Sequence, residues 1–293
     1  MEFKTALEAQ AKFFQENLEA YMCESETISR EITEAMRYSL CGGGKRIRPV
    51  LMRATYELFS DGNVEQMLPF ACALEMIHTY SLIHDDLPAM DNSDWRRGRP
   101  TSHKVFGDAM AVLAGDALLN LAFETALRAQ TDADRKVRAL SVLAACSGIR
   151  GMIGGQVIDI LNEGKQISLE LLEELEEKKT AALLAAACVC GAILGGAEAE
   201  DVENMRAFAV YLGLAFQIKD DILDVEGDSG ELGKPTGNDE ACHKNTYVSL
   251  AGLDGAKQKL AEYTERAREI VSAYGPRAAF LADLTDYLLN RTN

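Results

Sequence analysis

No alternation of apolar and polar residues bounded by hairpin turns runs through this chain of 293 residues, which argues against a sheet-based fold and leaves an all-α one. The seven cysteines are an odd number with no framework spacing, so a disulfide-stapled secreted domain is disfavoured and a reducing, cytoplasmic compartment is expected. Cys188 and Cys190 lie in an alanine-rich helical run, where core packing is the better reading than metal binding. Positive charge is scarce: 30 Lys and Arg stand against 46 Asp and Glu, and a net charge of -16 argues against nucleic acid or an anionic membrane as the main partner. No apolar segment looks long and uninterrupted enough to span a bilayer, and Met1-Glu2-Phe3-Lys4 opens into a polar amphipathic pattern without a signal-peptide core. A protein without membrane insertion is therefore expected. No composition break or long polar linker divides the chain, so a single domain over 1–293 is expected, and 47% hydrophobic content is ample for its core.

What the chain does have is carboxylate, concentrated at two places in otherwise apolar helical sequence. The run from His78 ends in Asp85-Asp86-Leu87-Pro88-Ala89-Met90-Asp91, with Arg96-Arg97-Gly98 behind it. Ionised carboxylates this close repel one another, and a divalent cation is the simplest counter-charge. Oxygen ligands select a hard ion. Magnesium keeps several waters and shares its shell with phosphate, which gives the two arginines an anion to bind. A solvated acidic turn at a helix end is the plainer alternative. A second cluster, Gln217-Ile218-Lys219-Asp220-Asp221-Ile222-Leu223-Asp224, follows the apolar run 207–216, and Asp220 and Asp224 fall on one helix face. The repetition favours two facing aspartate-rich helices that clamp metal.

Other stretches leave both a chemical and a bland reading open. Gly42-Gly43-Gly44 precedes Lys45, Arg46 and Arg48, a combination able to cradle phosphate or to be a flexible basic loop. It is not a Walker-type loop, because Arg46 follows Lys45 and position 39 is Ser. His78 stands two turns before Asp85 on the same face, and Tyr80 points further from the metal end, toward the floor of any cavity between helices. The run 168–195 opens at a Ser168 cap and changes at Lys179-Thr180 from charged to almost all Ala, Leu and Cys. Gln156 and Asp159 share a face that either points to a cavity or bonds within the core. Residues 226–240 are rich in Gly and acids and end regular structure at Gly233-Lys234-Pro235, as a linker or a mobile lid. Helices are expected at 3–22, 27–40 with a cap at Thr27 or Ser29, 50–60, 64–90, 107–130, 134–161, 168–195, 252–274 and 277–291.

Taken together, these residues resemble the trans-polyprenyl diphosphate synthase family, and within it the bacterial farnesyl diphosphate synthases. Asp85 to Asp91 matches the first aspartate-rich motif in its form with two extra residues, Pro88-Ala89, and Asp220-Asp221-x-x-Asp224 matches the second. The likeness continues through Gly43-Gly44-Lys45-Arg46-Ile47-Arg48-Pro49, Gly154-Gly155-Gln156, Lys179-Thr180, Gly233-Lys234 and Lys244-Asn245-Thr246-Tyr247. The resemblance implies a single large all-α helical bundle with a central apolar cavity, a homodimer, and condensation of isopentenyl diphosphate with dimethylallyl or geranyl diphosphate. It implies Mg2+, three ions with substrate bound, on Asp85, Asp86, Asp91, Asp220, Asp221 and Asp224. It assigns isopentenyl diphosphate to Lys45, Arg48, His78 and Arg97, the allylic diphosphate to Arg96, Lys179, Thr180 and Lys234, and a diphosphate contact to Lys244. Gln217 and Thr180 would face the cation as neutral dipoles. Tyr80 would halt growth at fifteen carbons, which a small neighbour such as Ser81 would not do. Trp95 stands where the family typically carries Leu, and Asn92-Ser93 replace frequent acids, departures that bear on the stability of that loop. With no histidine or unpaired carboxylate placed for the task, the departing diphosphate is the expected base.

Three rivals follow. A geranylgeranyl or longer-chain synthase would share every charged residue and differ at Tyr80. A terpene cyclase would leave Lys45, Arg48 and Arg97 without a task. A non-catalytic bundle protein would be expected to carry damaged aspartate motifs, and a di-iron bundle would need a second Glu-x-x-His pair beside Glu75 and His78.

Overall fold

A computed structural model of the protein describes residues 2–22, 30–226 and 245–290. The positions of Lys234 and Lys244, the cap expected at Thr27 or Ser29, and all but the first residue of the 226–240 loop lie outside the described residues. The helices are α1 (Phe3–Tyr21), α2 (Arg30–Leu40), α3 (Ile47–Phe59), α4 (Leu68–Asp85), α5 (Ser102–Phe106), α6 (Asp108–Leu127), α7 (Ala133–Ser147), α8 (Met152–Leu161), α9 (Leu169–Glu176), α10 (Ala182–Gly195), α11 (Ala199–Glu226), α12 (Tyr247–Ser272) and α13 (Ala279–Leu289). The all-α expectation holds. Among the described residues the strands are β1 (Trp95–Arg96) and β2 (Arg99–Pro100), a two-residue antiparallel ribbon too short to leave a periodic signature.

The chain divides into two compact units, Met1–Arg53 with Asp61–Leu140, and Ala54–Ser60 with Ser141–Asn293. In the first, α4 is apolar on every face and accordingly buried from Leu68 to Ile77. It packs mainly on α6, whose buried positions are mostly small, Ala111, Ala114, Gly115, Ala122 and Ala126, with Leu118 and Thr125 among them. Small residues let two helices approach closely, and at Gly115 the space a Cβ would take is filled by the His84 ring. In the second unit α10 is buried from Leu183 to Gly195, with Cys188 and Cys190 inside it as core residues, and it packs on α11. Helix α11 also packs along α12. Gly196, at φ +87°, ends α10 in the left-handed conformation that side chains resist.

Several expectations need correction. The helix expected over 64–90 ends at Asp85: Pro88 cannot donate a backbone bond, and the chain turns so that the Asp91 N–H donates to the Asp85 carbonyl at 2.8 Å. The helix expected over 134–161 breaks between Ser147 and Met152, where a Cβ on Gly151 would lie 2.0 Å from the Cys146 carbonyl oxygen. Three stretches, Asp108–Leu127, Ala133–Leu161 and Leu169–Gly195, are long and apolar enough by length and composition to cross a membrane. The statement that no segment qualifies is thereby overturned. For Leu169–Gly195 the reason is packing, since 72% of its apolar window is buried inside the protein, against 39% and 33% for the other two.

Candidate active site

In the first unit the site is built at the carboxyl end of α4. Asp85 is the last helical residue and partly buried, Asp86 is buried, and Asp91 is exposed on the turn that follows. Arg96, carried back by the short ribbon, closes on Asp86 with Nη2 2.5 Å from Oδ1 and Nε 3.1 and 3.2 Å from the two carboxylate oxygens. Such a fork fixes both side chains. Among the described residues three that are not glycine adopt positive φ: Arg46 (51°), Asn92 (49°) and Arg97 (53°), all in the loops around this helix end. Strain held at three such positions marks loops that the surrounding contacts over-determine.

The glycine run explains itself here. Gly43 and Gly44 have φ +97° and +139°, and a Cβ on Gly44 would fall 2.8 Å from Arg97 Nη1. Arg97 donates from Nη1 to the Gly43 carbonyl. Of the three cations after the glycines, Arg46 turns inward: it is 2% exposed, pairs with Glu75 at 2.6 Å, and donates to Gln15 and to the Leu40 carbonyl. Lys45 stays exposed. Arg48 is partly buried and its Nε is buried without a hydrogen-bond partner. His78 sits among these cations. Burial, then Arg48, Arg97, Arg46 and Arg96 in that order, holds its imidazole well below the ordinary histidine range, so it is neutral. Three guanidiniums share one buried carboxylate, Glu75, and the surplus positive charge suits an anion.

Tyr80 is 5% exposed, with its hydroxyl buried and unpartnered, and its ring meets the His84 ring edge-on. Ser81 donates to the His78 carbonyl at 2.9 Å.

The second unit holds the other half of the expected residues. Lys179 and Thr180 lie in a π-helical turn, Glu177–Ala181, between α9 and α10. An extra residue in a turn of this kind re-aims side chains, and such turns gather at functional sites. Lys179 pairs with Asp159 of α8 at 2.5 Å. Gly155 makes room, since a Cβ there would sit 2.3 Å from the Lys179 nitrogen. Thr180 Oγ1 is 3.0 Å from Glu176 Oε2 and 3.5 Å from Gln217 Oε1; Gln217 Nε2 donates to Asp221 Oδ1 at 3.2 Å. Asp221 Oδ2 accepts the Tyr247 N–H at 2.8 Å, tying α11 to the start of α12. Asp220 and Asp224 sit one turn apart, the first partly buried, the second 3% exposed.

Two participants escaped the sequence reading. One is Arg46 with Glu75, where nothing in the run of cations says which turns inward. The other is Glu176, whose carboxyl is pushed up to about 8 by burial and by the charge of Asp221. The spacing does not single it out, because Glu177, three residues before Thr180, shares that residue's helix face as well.

For a metal, the donor chemistry fits magnesium. Among the described residues no group of three or more His, Cys, Asp or Glu side chains is arranged to hold an ion alone. Asp86 and Asp221 already accept bonds from Arg96, and from Gln217 and Tyr247. Hard carboxylate oxygens in such small sets fall short of a full cage, and magnesium is the cation that keeps its waters and completes its shell on phosphate.

An all-α scaffold carrying two aspartate-rich helix segments, each beside fixed cations, defines a class of enzyme that handles diphosphates with a divalent metal. The chain belongs to the polyprenyl synthetase family, whose model matches residues 29–275. It is 43% identical over 279 residues to the farnesyl diphosphate synthase of Bacillus subtilis, covering 94% of each chain. It is 46% identical over 296 residues to the chloroplastic geranylgeranyl pyrophosphate synthase of Catharanthus roseus, covering 100% of this chain and 82% of that one. Its structure is similar to a geranyltransferase of Helicobacter pylori complexed with magnesium and isoprenyl diphosphate, with a TM-score of 0.84 and 34% identity over 99% of this chain and 97% of that one.

Proposed function

We propose that this enzyme is a magnesium-dependent short-chain prenyltransferase that condenses isopentenyl diphosphate with dimethylallyl and then geranyl diphosphate to give (2E,6E)-farnesyl diphosphate. The observation that carries this is the gathering of Arg46, Arg48, Arg96 and Arg97 around neutral His78, with Arg48 Nε buried and lacking an acceptor. Such a place suits the diphosphate of a second, non-ionising substrate, and a cyclase of single substrates has no use for it.

Breaking the allylic carbon–oxygen bond is the difficult step, and positive charge fixed beforehand around the leaving diphosphate lowers its barrier. Bound magnesium, three ions in our reading, would neutralise that diphosphate, and Asp85, Asp86, Asp91, Asp220, Asp221 and Asp224 would supply the oxygens. Arg96, Lys179 and Lys234 add cationic contacts to the allylic diphosphate, and Lys244 adds a diphosphate contact. Lys45, Arg48, His78 and Arg97 hold isopentenyl diphosphate, whose double bond attacks the allylic carbon. Thr180 and Gln217 present neutral dipoles to the developing cation, so that it is stabilised without a nucleophile that would trap it. The proton lost as the new double bond forms passes to the departed diphosphate. Tyr80 stops growth at fifteen carbons. We further propose that the enzyme works in the cytoplasm as a homodimer.

A geranylgeranyl or longer product is the second reading, supported by the 46% identity to the Catharanthus enzyme. One experiment separates them: chromatography of products from each allylic starter with isopentenyl diphosphate and magnesium. A fifteen-carbon product that disappears on chelation is expected. Turnover that survives full chelation would sink the mechanism, and a twenty-carbon product would reassign the floor.

A further inference from the structure

His84 precedes the first aspartate motif, and the mechanism leaves it without a task. Its surroundings are nevertheless built. Nε2–H donates to the Val112 carbonyl of α6 at 3.0 Å, and the Asp116 carboxylate lies 3.9 Å from the same nitrogen. Between those two residues stands Gly115, in mid-helix, where glycine weakens a helix relative to alanine. The space it leaves is filled by the imidazole: a Cβ at Gly115 would meet His84 Nε2 at 2.1 Å, Cδ2 at 2.4 Å and Cε1 at 2.9 Å. The Nε2 edge of the ring is thus seated on α6, by a hydrogen bond to Val112 and by the notch at Gly115.

One turn back on α4 is Tyr80. Its hydroxyl is buried and without a partner, so no polar bond fixes the orientation of the phenol. What meets the ring is His84, edge-to-face, with centroids 5.7 Å apart and planes at 81°. Such a contact is directional, and turning either ring away loses it. The orientation of Tyr80 is therefore linked to the notch through His84. At the other end of the same helix pair, Thr125 Oγ1 of α6 contacts Met76 Sδ of α4 at 3.9 Å, and the two contacts fix the register of the helices.

We propose that His84, seated in the Gly115 notch, is a positioning residue for product length: it holds Tyr80 in the orientation that closes the floor at fifteen carbons. The inference rests on the reading of Tyr80 as that floor. It makes chain length a property of the fit between α4 and α6, rather than of the bulk of one aromatic residue alone.

The test is the product profile, by chromatography with geranyl diphosphate, isopentenyl diphosphate and magnesium, of four variants. Tyr80→Ala should give products longer than fifteen carbons. Gly115→Ala pushes a methyl into the imidazole, and His84→Ala removes the ring; each should raise the share of longer products several-fold. The double variant should match His84→Ala, since the methyl then has nothing to displace. If Gly115→Ala does not fold, His84→Ala, which only removes atoms, decides by itself. A wild-type profile for His84→Ala beside a lengthened one for Tyr80→Ala would overturn the positioning role and leave the floor standing. An unchanged profile for Tyr80→Ala would remove both. A double variant longer than His84→Ala would also count against the proposal, because Gly115 would then act by a route that bypasses the imidazole.

Discussion

Glu176 is a residue whose chemistry departs far from its type. Its folded carboxyl titrates near 8, raised by burial and by Asp221, whereas an unfolded glutamate titrates near 4.5. Between those values the folded protein holds a proton that the unfolded chain has released, so stability is fullest below about pH 4.5 and is lost as pH rises through about 8. Glu176→Gln keeps the neutral form and the bond to Thr180, and should flatten that slope. Denaturant midpoints of wild type and variant at pH 5 and pH 8, without divalent cation, would show it; parallel losses in both proteins would refute the assignment. This residue also shows what a sequence hides. An acid in a run of acids, 170–177, reads as one more solvated charge, and only the fold says which one the helix turns inward. Arg46 is the mirror case, one of three neighbouring cations, told apart from Lys45 by a buried pairing with Glu75 across 29 positions. By contrast Asp85, Asp220 and their neighbours were legible, because charge repeated at the ends of apolar helices is improbable unless something compensates it.

At the scale of elements, type was legible and ends were not. Apolar runs without strand alternation gave the helices, yet the pattern that continues past Asp85 says nothing about the turn that Pro88 forces, nor does 134–161 reveal its break at Gly151. The π-turn at Glu177–Ala181 is the least legible of all. One extra residue in a turn leaves composition unchanged and shifts only the phase of the face that follows. That phase places Lys179 against Asp159 and Thr180 between Glu176 and Gln217. Deleting Lys178, whose ion pair with Glu174 is within the helix surface, should convert the turn to ordinary α-helix, leave the flanking segments nearly in phase, and undo the re-aiming of Lys179 and Thr180. Turnover should fall about 100-fold or more through misplacement, with helical circular dichroism retained. A deletion variant that keeps wild-type turnover would show that the phase of this turn is irrelevant to the reaction.

At the scale of the whole molecule the question is what covers its exposed apolar side chains. Helix α6 leaves Val112, Leu113 and Leu127 exposed at 39%, 55% and 57%, in a helix that is apolar along nearly its whole length. In the other unit α8 exposes Ile153, Val157, Ile160 and Leu161, whose spacing places them along one face. Scattered apolar residues on a surface need no explanation, but rows of them on helices do. A net charge of -16 would by itself keep copies apart, so burial must outweigh repulsion if a dimer forms, and added charge on these faces should tip the balance. Sedimentation of the wild-type protein should give a dimer. Leu113→Asp and Val157→Asp, each on an exposed helix position where folding is little affected, should shift it toward monomer, more so at low salt, where repulsion is unscreened. A dimer indifferent to both substitutions would place its interface elsewhere and leave these faces to another partner.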